Sequence, residues 1–145
     1  MKTISRYIMT LALLLTAVTG AWAQGPWTSG SCTVTLNNGT LTVSGNGTMD
    51  NYPDGSDRPW DSNSGDITSV VVESGVTSVG MLAFSSFSAM TSVTLPEGLT
   101  AIGPNAFSSC SSLQSITIPS TVTSISEGAF FMCSSLQSIT IPSTV

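Results

Sequence analysis

From Ile67 onward the sequence returns to itself every 23 residues, with units opening at Ile67, Met90, Leu113 and Leu136. Three full units (67–89, 90–112, 113–135) and a partial one (136–145) fill the chain to Val145. The third unit shows the pattern in Leu113, Ile116, Ile118, Pro119, Val122, Ile125, Ala129, Phe130 and Cys133. The second repeats it with Met90, Val93, Leu95, Pro96, Leu99, Ile102, Ala106, Phe107 and Cys110. Residues 111–122 and 134–145 are the same twelve letters, SSLQSITIPSTV. A fixed period in the twenties is the mark of a repeat solenoid, whose units touch only their neighbours. A single unit buries too little apolar surface to offset the ordering of its backbone, so stability must grow by stacking.

Each unit divides into three parts. Leu113 to Ile118 alternates inward and outward, which predicts a short parallel strand that Pro119 ends. Val122 to Ile125 returns along the back. Ala129-Phe130 sits where a short α or 3₁₀ turn would form the convex side. Pro104, ahead of Asn105-Ala106-Phe107, suits a first helical position. The first unit departs from the pattern, with Glu73 for the proline and Phe87 for the cysteine, and Ser126 stands where Gly80 and Gly103 stand earlier. The first unit is therefore expected to adjoin a cap.

Residues 24–66 supply that cap. Cys32, Val34 and Leu36 lie on one face of a first strand and Leu41 and Val43 on one face of a second, with Asn38-Gly39 as the turn of a β-hairpin. Trp60 is the expected apolar plug beneath it, and an acidic loop leads on to the repeats. At the other end Leu136, Ile139, Ile141 and Val145 complete a strand with no unit beyond it, which predicts a truncated array and an edge open to self-association.

The chain of 145 residues contains no histidine. That excludes Ser/His/Asp and Cys/His nucleophile systems and imidazole metal ligands. Residues 1–23 read as a secretory signal: Lys2 and Arg6, an apolar run from Ile8 to Val18, then small Ala21 and Ala23, with cleavage expected between Ala23 and Gln24. The apolar run is well short of the ~20 residues a membrane-spanning helix needs. Without that segment one cation, Arg58, faces eight carboxylates, and no lysine remains. Nucleic acid, which demands clustered Lys and Arg, is excluded as a partner.

Few residues offer chemistry. Cys110 and Cys133 occupy equivalent positions on adjacent rungs about 5 Å apart, but their side chains run parallel, so both are expected as buried, inert thiols, with Cys32 similar. Asp50, Asp54, Asp57, Asp61 and Asp66 crowd one loop without the D-x-D-x-D-G spacing of a calcium loop, and read as a solvated acidic segment. Nothing fixes any pair of them at a glycosidase separation. Asn38-Gly39-Thr40 and Asn46-Gly47-Thr48 fit the glycosylation pattern, but turn chemistry accounts for both. No catalytic, cofactor-binding or metal-binding residue is expected. What remains is surface: Ser92, Thr94, Ser115, Thr117, Ser138 and Thr140 point outward as an uncharged hydroxyl ladder, the default partner face of a repeat array. Phe131-Met132, in place of Ser85-Ser86 and Ser108-Ser109, forms a small apolar contact patch.

The unit closely resembles the BspA-like leucine-rich repeats of bacterial surface proteins, in which the strand motif is followed by I-P, V-x-x-I and A-F-x-x-C. The resemblance covers 67–145. Gly39 to Gly45 and Pro59-Trp60 are similar to the segment that often precedes such repeats. The resemblance implies a secreted or cell-surface, non-enzymatic module without cofactor, engaged in protein binding or adhesion to host or matrix proteins. An accessory N-terminal region of a larger secreted hydrolase and a purely structural array are the alternatives.

Overall fold

The structure, a computed structural model, describes residues 23–145. The export signal expected over 1–23 lies outside the described residues, apart from Ala23. The N-terminal strands are β1 (Gln24–Ser29), β2 (Cys32–Asn37), β3 (Thr40–Gly45) and β4 (Gly47–Thr48). In the repeats follow β5 (Ser69–Val72), β6 (Val76–Val79), β7 (Ser92–Thr94), β8 (Ala101–Ile102) and β9 (Ser124–Ile125).

The expected hairpin is β2 and β3, paired antiparallel from Cys32↔Gly45 to Asn37↔Thr40. Asn38 and Gly39 both take positive φ, 48° and 78°, as a tight turn matched to strand twist requires. Cys32, Val34, Leu36, Leu41 and Val43 are all buried. Sequence reasoning missed β1, which adds antiparallel to β2 on the outer side. On its inner side β3 switches to parallel pairing with β5, and β5 pairs with β7, giving a front sheet ordered β1-β2-β3-β5-β7. The return segments make a second parallel sheet, β4-β6-β8-β9.

The third row of the solenoid differs from expectation. No helix forms at Ala129-Phe130 or after Pro104; among the described residues the one helical element is a 3₁₀ turn, Asp61–Asn63, in the acidic loop. Left-handed backbone at Leu82 and Ser86, Asn105 and Ser109, and Gly128 and Met132 interrupts every unit at the same two places. The amide groups point along the stack instead. Leu82, Phe84 and Ser86 donate to the carbonyls of Pro104, Ala106 and Ser108 at 3.0, 2.9 and 2.8 Å. Asn105, Phe107 and Ser109 donate to Glu127, Ala129 and Phe131 at 3.0, 2.9 and 2.7 Å. Pro104 fits this row because only its carbonyl is used.

Phe84, Phe107 and Phe130 stack behind that row, with ring centroids 5.4 and 5.6 Å apart and the last pair nearly parallel. A second correction concerns the third unit. Its segment 115–118 keeps the alternation, Ile116 and Ile118 buried and Ser115 and Thr117 exposed, but forms no ladder with β7. The inward side chains hold their places while the unit is bonded to its predecessor through the back sheet and the turn row.

The cap closes the first unit bond for bond. In that unit the carbonyls equivalent to Pro104, Ala106 and Ser108 belong to Met81, Ala83 and Ser85. Met81 receives the Tyr52 amide at 3.0 Å, Ala83 the Trp60 indole Nε1 at 3.1 Å, and Ser85 the Arg58 Nη1 at 2.9 Å. Trp60 is fully buried, packed on Tyr52 and Trp27. Arg58 is also buried; it bonds the Leu82 carbonyl at 2.8 Å, pairs with Asp61 and lies over the Phe87 ring. Both departures of the first unit follow. Phe87 replaces cysteine to carry the guanidinium, and Glu73 replaces proline because its amide donates to the Val43 carbonyl of the hairpin at 2.8 Å.

Candidate binding surface

The outward positions of the front strands are set by the pleat: once Val70, Val93 and Ile116 turn inward, their neighbours must face solvent. Ser92, Thr94, Ser115, Thr117, Ser138 and Thr140 are all exposed, as are Gln114 and Gln137. The face extends further than the repeats. Thr33 and Thr35 of β2 are exposed, Thr42 of β3 is half-buried, and the Thr40 and Ser69 hydroxyls meet at 2.9 Å across the junction of hairpin and first unit. No Lys, Arg, Asp or Glu interrupts these outward positions, so the face offers short donors and acceptors and no field.

Where the ladder opens, a cleft of about 360 Å³ lies between the third and fourth units. The hydroxyls of Ser115, Thr117, Ser120, Ser138 and Thr140 line it, with Ile116, Ile118 and Pro142 contributing apolar wall.

The cysteines are free and buried, and each thiol has a carbonyl partner. Cys110 donates to Phe84 at 3.2 Å, Cys133 to Phe107 at 3.1 Å, and Cys32 more weakly to Gly47 at 3.7 Å. Burial pushes the Cys110 thiol up to about 12 and raises those of Cys32 and Cys133 above their ordinary value. Thiols held protonated in this way are poor nucleophiles and poor metal ligands. The loop carboxylates do not converge: Asp61 is engaged with Arg58, while Asp50, Asp54, Asp57 and Asp66 point to solvent. Phe131 and Met132 are each 63% exposed and adjoin the open end of the turn row.

Sequence reasoning passed over Arg58, Tyr52 and Ser29. The Tyr52 hydroxyl and the Ser29 Oγ meet at 2.6 Å in a buried bond that ties the cap loop to β1. One signal was available: a lone arginine beside Pro59-Trp60, in a segment otherwise rich in aspartate, is placed where a carbonyl row needs a cation.

The BspA type leucine rich repeat model matches residues 62–145 in six copies. Among solved structures, a leucine-rich repeat protein from Eubacterium ventriosum is similar at 26% identity and a TM-score of 0.65, over 86% of this chain and 45% of that one. A leucine rich cell surface protein from Faecalibacterium prausnitzii is similar at 31% identity and a TM-score of 0.56, over 89% of this chain and 39% of that one. The chain thus spans less than half the length of either structure. No curated protein matches it. With the 23-residue period, the parallel pairing of the repeat strands in both sheets and a family match over more than half its length, the chain belongs to the BspA type leucine-rich repeat family.

Proposed function

We propose that this chain is an exported, non-enzymatic module that binds protein partners through its front sheet. The observation that carries the reading is the uncharged, hydroxyl-rich face running from Thr33 and Thr35 to Ser138 and Thr140, broken by Val71 of β5 and with a cleft at its far end. Such a face suits a partner that supplies backbone amides, carbonyls and small polar side chains at close range. It does not suit a partner recognised by charge. Export rests on the signal pattern of residues 1–23, with cleavage between Ala23 and Gln24. The Faecalibacterium neighbour, described as a cell surface protein, supports placement at the cell exterior, and adhesion to host or matrix proteins is the use that fits.

The test is direct. The chain from Gln24 to Val145 is immobilised and probed with purified extracellular matrix and epithelial surface proteins, beside a variant carrying Thr94→Arg and Thr117→Arg. These exposed substitutions leave the interior untouched, so the variant should keep its circular dichroism spectrum and lose binding at least tenfold. Equal binding by both chains would move the function off this face.

A further inference from the structure

The chain holds two Asn-Gly pairs, Asn38-Gly39 and Asn46-Gly47, and one Asp-Gly pair, Asp54-Gly55, each with its first residue exposed. Such pairs carry a reaction of their own. Glycine has no Cβ to shield its amide nitrogen, so that nitrogen can attack the side-chain carbonyl carbon of the residue before it and close a succinimide ring. Attack requires the glycine N–H to give up its proton and the nitrogen to swing toward the side chain. An amide already donating to a carbonyl resists both.

The three pairs differ in this respect. The Gly47 amide donates to the Gly75 carbonyl at 2.9 Å, and Asn46 packs so closely on Gly75 that a Cβ there would stand 2.7 Å from its Oδ1. The Gly55 amide donates to the Tyr52 carbonyl at 2.8 Å. The Gly39 amide has no acceptor among the described residues, because the tight turn is closed by Asn37 and Thr40 on either side of it. Gly39 is also where the hairpin is tied to the repeats. Its carbonyl accepts the amides of Thr68 and Ser69 at 2.8 and 3.2 Å and the Thr68 hydroxyl at 3.3 Å.

We propose that Asn38 is a self-modification site whose conversion to aspartate and isoaspartate loosens the junction between the hairpin and the first unit. A bond forms between the Gly39 nitrogen and Asn38 Cγ, the Cγ–Nδ2 bond breaks, and the side-chain nitrogen leaves with the Gly39 proton as ammonia. One water then opens the ring at either carbonyl, and no oxidant, reductant or cofactor takes part. Opening toward isoaspartate routes the main chain through the side-chain carbon and lengthens it by one atom. A two-residue turn with φ of 48° and 78° cannot keep the Asn37↔Thr40 pairing with that added atom, so the Gly39 carbonyl is drawn away from Thr68 and Ser69. The site lies on the hairpin turn and stands or falls independently of binding through the front sheet.

The experiment ages the chain from Gln24 to Val145 in warm, mildly alkaline buffer and follows each pair by peptide mass spectrometry with fragmentation that separates aspartate from isoaspartate. In the folded chain Asn38 should convert at least tenfold faster than Asn46, and Asp54 should stay unisomerised. In urea, where both asparagines are followed by the same Gly-Thr and neither amide is held, their rates should agree within about twofold. Amide exchange of Thr68 and Ser69 should speed up at least threefold in the converted chain while that of Leu82 and Phe84 stays unchanged. The variant Asn38→Gly, which the positive φ of the turn accepts, should show none of this on ageing. Equal conversion of Asn38 and Asn46 in the folded chain, a folded Asn38 that fails to convert where the unfolded chain does, or unaltered exchange at Thr68 and Ser69 after conversion would each overturn the proposal.

Discussion

The thiol of Cys110 donates to the carbonyl of Phe84 in the unit before it, and Cys133 repeats the contact with Phe107. The A-F-x-x-C motif is therefore read across units: each cysteine satisfies the carbonyl of the preceding phenylalanine. Cys110→Ala removes the sulfur from a fully buried position and leaves that acceptor unpaired. Urea denaturation should show a loss of ~1–3 kcal/mol relative to the parent chain.

The thiols also set the alkaline limit. Folding keeps the proton on Cys110 up to about 12, whereas the unfolded chain releases it near 9.0. Between those values the unfolded state binds fewer protons, so stability is complete below pH 9 and falls as the pH climbs toward 12. The slope from one such thiol is ~1.4 kcal/mol per pH unit at most. Melting temperatures measured from pH 7 to 11 should stay level at first and then drop, and Cys110→Ala should flatten the drop. In the native chain at neutral pH a thiol reagent should find almost nothing, and after denaturation three groups.

Restoring the repeat's own proline in the first unit should do harm. Glu73→Pro removes the amide that bonds Val43 and leaves a carbonyl at the hairpin junction without its donor. A loss of ~1–3 kcal/mol is expected by denaturant titration. A neutral or stabilising result would show that hairpin and first unit do not depend on that bond.

Neighbouring aromatic positions should behave oppositely. Phe107 is fully buried between Phe84 and Phe130, and Phe107→Ala should cost ~3–5 kcal/mol. Met132→Ser, which reproduces the residue of the earlier units at an exposed position, should stay within ~0.5 kcal/mol. Thermal melts of the two variants beside the parent chain would check both.

Much of this architecture is written in the period. Inward positions such as Val93, Ile116 and Val122, the hairpin turn at Asn38-Gly39 and the burial of Trp60 all follow from alternation and spacing, because a side chain's facing depends on few local rules. The destination of backbone hydrogen bonds is less local. Ala129-Phe130 has helical composition, yet its amides belong to a row between units, and only the left-handed residues at Leu82, Asn105 and Ser109 reveal this. No sequence rule assigns positive φ to a leucine. Arg58 was hidden for a related reason: two of its partners are the main-chain carbonyls of Leu82 and Ser85, which leave no trace in residue identity. The exposed hydroxyl ladder was legible, because residues with no inward role must face out.

The bonds from one turn row to the next join residues 22 positions apart in every case, and the strands of the second and third back rungs pair at a separation of 23. A gene encoding such a chain can gain or lose a whole module with every contact preserved, whereas a single added codon inside one would shift all the pairings beyond it. The verbatim copy of twelve residues at 111–122 and 134–145 is what recent duplication of one module would leave behind, so this rod lengthens in steps.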